Sequence, residues 1–201
     1  MCRLFFLPGV GGDPNFWRGL GDLLPGDWSK TYFGWPGLGS NPPDPNINAY
    51  EDLIAMVEVR LLETSEPVDL LAQSMGGAIA MTLALRHPRQ VRRLVLAVTA
   101  GGMDIDALGA TDWRPEYRHE FPQVADWVIS DRPDVSARIP DIRQPALLIW
   151  GDSDPISPLA VGKYLATHLP DASLHVLPGG EHDLVRARPL EIVSLIEHHL
   201  A

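Results

Sequence analysis

The sequence predicts an α/β fold, a six-stranded parallel sheet sandwiched by helices and carrying a small helical cap. Three observations predict it. Short, nearly continuous apolar runs alternate with stretches of helical periodicity, as strands covered on both faces require. Glycine-rich turns follow several of those runs, marking the sharp exits of such strands. One long segment, Met103 to Gln144, shows no strand pattern yet holds Trp113, Tyr117, Phe121 and Trp127 among many charges. A stretch that long between two strands of a compact sheet reads as an inserted cap.

Each element has its own signal. Leu4 to Leu7 is the first strand, and Pro8-Gly9-Val10-Gly11-Gly12 is its turn. Asp13-Pro14 has the form of an N-cap with proline at the first helical position, followed by Trp17, Leu20 and Leu24 on one face. Thr31 to Phe33 is a second short strand, ended by Trp35-Pro36-Gly37-Leu38-Gly39. Asn48 with Glu51 resembles a capping box, and Tyr50, Leu53, Ile54, Val57 and Leu61 then share a helix face. Val68 to Ala72 is the third strand, and Gly76 to His87 is a helix apolar almost all round, hence central. Leu94 to Val98, Ala146 to Trp150 and Ser173 to Leu177 complete the strands. Ser157-Pro158 opens a helix to about His168, and a last helix spans roughly Pro189 to His199. Residues 1–102 and 145–201 are therefore expected to build the core and 103–144 the cap, one domain overall.

Composition narrows the function. The chain has 201 residues and a formal charge of −10, which disfavours nucleic acid or an anionic membrane as partner. A single cysteine, Cys2, allows neither an internal disulfide nor a cysteine-rich zinc site. The longest apolar runs are too short for a signal or a membrane span, so a cytoplasmic protein is expected. The histidines and carboxylates do not cluster at metal-ligand spacing. The first glycine turn has neither the Lys-Ser/Thr of a P-loop nor the register of a dinucleotide fold. No cofactor is implied.

In a parallel α/β sheet, chemistry collects at the carboxyl ends of the strands. Those ends read Pro8-Gly9-Val10-Gly11, Gln73-Ser74-Met75-Gly76-Gly77, Gly151-Asp152-Ser153-Asp154 and Gly180-Glu181-His182. Ala72-Gln73-Ser74-Met75-Gly76 lies directly between a strand and a buried helix. There a strained turn exposes a serine hydroxyl and needs small residues two before and two after it. Free N–H groups at the start of that helix suit a developing oxyanion.

With these motifs in order, the chain resembles the α/β-hydrolase superfamily over nearly its whole length. Leu7-Pro8-Gly9-Val10-Gly11-Gly12 resembles the family's oxyanion loop, with Pro8 in place of the usual His. Trp35-Pro36-Gly37-Leu38-Gly39-Ser40 is similar to its Asp-x-Pro-Gly-x-Gly-x-Ser segment without the Asp. Gly151 to Pro158 matches the acid loop G-x-x-D-x-x-x-P, and Gly180-Glu181-His182 the histidine turn. The family's usual two N-terminal strands are expected to be absent, because the first strand already feeds the oxyanion loop.

The resemblance implies Ser74 as nucleophile, His182 as general base and then acid, and Asp154 as the carboxylate that orients it. The N–H groups of Val10 and Met75 would form the oxyanion hole. Asp152 in the same loop, and Asp104 and Asp106 after the fourth strand, are alternative acids. Trp35, Trp113, Tyr117, Phe121 and Trp127 are candidates for an apolar substrate-binding roof. Arg114 and Arg118, four apart, could together receive a carboxylate. His87, His198 and His199 read as solvated helix ends, His168 and His175 as structural, and His119 as a surface residue of the cap.

The expected activity is cofactor-free serine hydrolysis of a small-molecule ester, thioester or related acyl bond. Such an enzyme has its acyl substrate as partner and is compatible with a homodimer. The same triad could instead cleave a carbon–carbon bond, eliminate or perhydrolyse, and a non-catalytic ligand receptor could share the fold.

Overall fold

Apolar strand cores and a short-range α/β alternation leave the chain one economical arrangement, strands inside and helices outside. The computed structural model describes residues 2–100, 102–131 and 133–201. Among them, six strands form one parallel sheet: β1 (Arg3–Leu7), β2 (Ser29–Tyr32), β3 (Val68–Gln73), β4 (Val91–Ala97), β5 (Ala146–Gly151) and β6 (Ala172–Leu177). Their spatial order is β2-β1-β3-β4-β5-β6. The helices are α1 (Arg18–Gly21), α2 (Tyr50–Leu62), α3 (Met75–Arg86), α4 (Arg114–Glu120), α5 (Asp126–Ser130), α6 (Leu159–His168), α7 (Leu184–Ala187) and α8 (Pro189–Leu200).

Every residue of β3 and β5 is buried, which requires cover on both faces of the sheet. The edge strand β6 alternates instead, leaving Ser173 and His175 exposed. From β1 the chain runs out to the edge strand β2 and then crosses back to β3 on the other side of β1. This reversal opens a crevice between the carboxyl ends of β1 and β3, the place where open α/β sheets bind ligands. The pairing of Leu7 with Ala72 fixes the register, so the loop after β1 emerges beside the turn after β3.

Three fully buried tryptophans hold the strand ends. The indole N–H of Trp17 donates to the Leu7 carbonyl at 3.1 Å, that of Trp35 to Pro8 at 2.9 Å, and that of Trp150 to Ser157 at 3.0 Å. A large ring satisfies the apolar core while its one donor pins a loop.

Local departures from the predicted elements have identifiable causes. Past Asp13 the chain forms turns, because the Asp13 carboxylate accepts the Asn15 N–H at 2.8 Å and favours a local turn over helix. Only Arg18–Gly21 is helical there, although Trp17, Leu20 and Leu24 are buried as the periodicity requires. At α2 the capping carboxylate is Asp52, not Glu51: it accepts the N–H groups of Asn48 at 2.7 Å and Ala49 at 3.0 Å. Ser157 does not cap α6, which begins after Pro158; its hydroxyl turns inward to the Thr99 carbonyl at 2.7 Å.

Between β4 and β5 lie α4, α5 and two 3₁₀ turns, Asp106–Leu108 and Ser136–Asp141. Backbone bonds tie this segment to the core: Thr111 N–H to Pro155 O at 2.7 Å and Val135 N–H to Gly102 O at 2.8 Å.

Candidate active site

Ser74 stands at the sharp exit from β3, with φ 52° and ψ −124°, a backbone region that non-glycine residues rarely occupy. The turn is held by the Ser74 N–H on the Ala97 carbonyl and the Gly77 N–H on the Ser74 carbonyl. It can be this tight because Gly76 has no side chain. A Cβ there would lie 2.6 Å from the carbonyl oxygens of both Leu7 and Pro8. Gly9 is equally constrained: its Cβ would meet Gln73 Oε1 at 2.4 Å and Ser74 Cβ at 2.9 Å.

The loops after β5 and β6 bring the remaining polar groups to the serine. The His182 Nε2 lies 2.9 Å from Ser74 Oγ, and its Nδ1 lies 2.8 Å from Asp154 Oδ2. Asp154 is buried, and its other oxygen accepts the N–H groups of Ile156 at 2.8 Å and Ser157 at 3.0 Å. Since the carboxylate can only accept, Nδ1 carries the proton and Nε2 is free to accept from the serine. Asp152 points elsewhere, taking the Gly179 N–H at 2.6 Å. The two loops touch backbone to backbone: a Cβ on Gly151 would sit 1.9 Å from the Gly180 carbonyl oxygen. Gln73, buried beside the serine, donates from Nε2 to the His182 carbonyl at 3.1 Å.

Val10 and Met75, the two residues expected to supply oxyanion donors, border the same space. Met75 opens α3, so its N–H has no helix carbonyl four residues back. Val10 sits inside the turn closed by the Gly12 N–H on the Gly9 carbonyl at 3.0 Å. Both residues line a cavity of about 540 Å³ together with Ser74 and His182. Its walls include the apolar side chains of Met103, Ile105, Val128 and Ile156. Asp104 and Asp106 also line it, but the imidazole nitrogen they could have oriented is taken by Asp154.

Of the five aromatic candidates, Trp113 and Tyr117 line the cavity and three do not. Trp35 is wholly buried, its indole committed to Pro8 beneath the loop. Phe121 packs against the Tyr117 ring, centroids 5.0 Å apart, and Trp127 packs on the core away from the cavity lining. Nor do the two arginines act together: Arg114 lines the cavity and pairs with Asp112 at 2.7 Å, while Arg118 pairs with Asp126 at 2.8 Å outside it.

One further cavity residue escaped the sequence reading. Tyr50, placed by periodicity on a core face, also reaches the cavity and donates its hydroxyl to the Met75 carbonyl at 2.9 Å. Burial pushes its phenol well above the ordinary range. Burial also raises the Tyr117 phenol, partly offset by the Gly39 N–H that it accepts. Among the other histidines, His199 is not solvated: its Nε2 meets the Leu94 carbonyl at 3.0 Å, and burial lowers its pKa. His87 Nε2 lies against the Glu58 carboxylate at 2.5 Å rather than standing free in solvent.

A covered parallel sheet with a strained serine turn after its third strand is the architecture of the α/β hydrolases. The chain belongs to that family: the alpha/beta hydrolase fold family matches residues 3–133. Its relatives are hydrolases. A pimeloyl-[acyl-carrier protein] methyl ester esterase from Aromatoleum aromaticum is 27% identical, with 96% of each chain covered. A 2-hydroxy-6-oxononadienedioate/2-hydroxy-6-oxononatrienedioate hydrolase from Pseudomonas putida is also 27% identical, over 87% of this chain and 78% of the relative. Among solved structures, a thermophilic esterase from Thermogutta terrifontis superposes with a TM-score of 0.77 at 18% identity, covering 98% of this chain and 89% of that one. Among the described residues, no helix is long and apolar enough to cross a membrane. No group of three or more His, Cys, Asp or Glu among them could hold a metal ion.

Proposed function

We propose that the chain is a serine hydrolase that cleaves a small-molecule ester, thioester or related acyl bond through an acyl-enzyme on Ser74. One observation carries the reading: a strained serine, a histidine and a buried aspartate are joined by bonds of 2.9 and 2.8 Å, with the serine and the histidine lining one cavity. In this reading Ser74 Oγ attacks the acyl carbon while its proton passes to His182 Nε2. The N–H groups of Val10 and Met75 receive the negative charge on the carbonyl oxygen. Collapse breaks the bond to the leaving group, which departs with the proton from His182. Water then gives a proton to the same nitrogen, attacks the acyl carbon and releases the acid as the proton returns to Ser74. Residues 103–144 act as the cap over this cavity, and the apolar part of its lining, Met103, Ile105, Trp113, Val128 and Ile156, suits an apolar acyl group.

The test is turnover of p-nitrophenyl esters together with labelling by a fluorophosphonate. Wild type is expected to hydrolyse the esters and to be labelled at Ser74, and Ser74→Ala is expected to lose both. A folded wild type that neither turns over nor labels refutes the reading. The Pseudomonas relative, a hydrolase of a 6-oxo dioate, favours a second reading in which the same groups hydrolyse a ketone by breaking a carbon–carbon bond. A panel of diketones run beside the esters separates the two.

A further inference from the structure

Val10 is flanked by two peptide planes, and they are held in different ways. The plane before it, which carries the Val10 N–H, is held within the loop by the Gly12 N–H on the Gly9 carbonyl at 3.0 Å, a bond that does not tie the loop to α4 or to the loop after β2. The plane after it leads into Gly11, which is exposed and has nothing within 4 Å of where a side chain would be. Glycine in that position leaves the backbone free to rotate. One restraint on it comes from α4, the Tyr117 hydroxyl donating to the Val10 carbonyl at 2.9 Å, while the Gly12 carbonyl beyond it accepts the Trp35 N–H at 3.0 Å and Asn41 Nδ2 at 2.8 Å. The Tyr117 hydroxyl oxygen in turn accepts the Gly39 N–H at 2.8 Å. Gly39, at φ +56°, lies so close to the loop that a Cβ would come within 2.2 Å of the Gly11 carbonyl oxygen. One phenol, only 7% exposed, thus joins the segment between β4 and β5, the loop after β2 and the loop that presents Val10.

We infer that Tyr117 is a positioning residue for the oxyanion loop: by holding the Val10 carbonyl its hydroxyl anchors the loop that carries the Val10 N–H, so that docking of α4 sets where that loop stands relative to Ser74. This inference rests on the acyl-enzyme reading above and assigns Tyr117 a role distinct from lining the substrate cavity. Oxyanion donors act only when pre-aimed at the charge that develops. A loop that must reorder during reaction therefore loses transition-state stabilisation while ground-state binding is retained.

The experiment compares Tyr117→Phe with wild type using p-nitrophenyl butyrate, butylboronic acid and butyrate. The boronic acid forms a bond from boron to Ser74 Oγ, whose proton passes to His182, and presents a tetrahedral oxygen to the hole; butyrate does not. Losing one oxyanion donor outright costs about 10²-fold or more, so a loosened donor is expected to cost about tenfold in kcat. KM is expected to stay within about twofold, and butylboronic acid to weaken by the same tenfold, with butyrate affinity unchanged. Fluorophosphonate labelling of Ser74 and a thermal melt report that the variant is folded. Trp113→Phe, which alters the cavity wall without a bond to the loop, is expected to shift boronic acid and butyrate together. If Tyr117→Phe shifts both ligands together, or shifts neither, the inference is overturned. Retained turnover in Ser74→Ala is a separate result, and refutes the acyl-enzyme reading itself.

Discussion

Replacing Asp154 by Asn changes a single atom, and the structure dictates where that atom goes. Oδ1 accepts two backbone N–H groups, from Ile156 and Ser157, while Oδ2 accepts from His182 Nδ1. In Asp154→Asn the amide oxygen keeps the two backbone donors, so the NH₂ faces the imidazole. Turning the amide over would set its NH₂ against both N–H groups, costing about 1–3 kcal/mol for each buried donor left unpaired. His182 answers the new donor by losing the proton from Nδ1 and carrying it on Nε2. Nε2 then points a hydrogen at Ser74 Oγ, 2.9 Å away, and the serine proton has no acceptor. The same exchange in a serine protease lowers kcat about 10⁴-fold, equivalent to about 5.5 kcal/mol of barrier, and that size is expected here. The assay is steady-state hydrolysis of a p-nitrophenyl ester, with a thermal melt to show that the variant is folded. Asp152→Asn is the companion: an amide oxygen can still accept the Gly179 N–H, so kcat is expected to stay within about threefold. A folded Asp154→Asn variant retaining more than a tenth of wild-type kcat refutes the assigned tautomer and the orienting role.

Two further outcomes follow from packing and burial. Gly76→Ala forces a methyl to 2.6 Å from two backbone oxygens, whereas ordinary carbon–oxygen contacts are about 3.3 Å or longer. The ends of β1 and β3 must part, with an expected loss of about 1–3 kcal/mol in a denaturant titration and of most Ser74 labelling; full labelling would show that the turn can relax. His199 has its pKa lowered by burial from 6.5, with Arg93 adding to the fall and the Leu94 carbonyl opposing it. Below that value the unfolded chain takes up a proton that the folded His199 refuses, so stability falls as pH drops and rises as it returns. His199→Gln is expected to lose less melting temperature than wild type between about pH 7.5 and pH 5.5, and an equal loss would assign the acid sensitivity elsewhere.

The strands and the serine turn were legible because their signals are local. An apolar run such as Leu4–Leu7, or Ser74 between a strand and a buried helix, carries its meaning within about ten residues. Asp154, the carboxylate that meets His182, could be singled out because Gly151 to Pro158 is a compact motif. What was not legible depends on which loops converge. Trp35 has the same composition cue as Trp113, yet Trp35 lies beneath the loop after β1 and Trp113 on the cavity wall. Gln73 and Tyr50 look like filler on a strand and a core helix face, and only the meeting of distant elements gives Gln73 a bond to His182 and Tyr50 a bond to Met75. His199 was misjudged because a helix terminus suggests solvent, whereas α8 ends against the sheet at Leu94.

The backbone contact between Gly151 and Gly180 divides the chain's evolvability. No side chain of any kind fits between the two loops that deliver Asp154 and His182, so in a saturation-mutagenesis map position 151 should be a blank column. Residues 103–144 supply most of the cavity's lining and, Tyr117 apart, can be rewritten. Variation in substrate would then accumulate in one contiguous, exchangeable stretch, while Asp154 and His182 travel unchanged with the sheet.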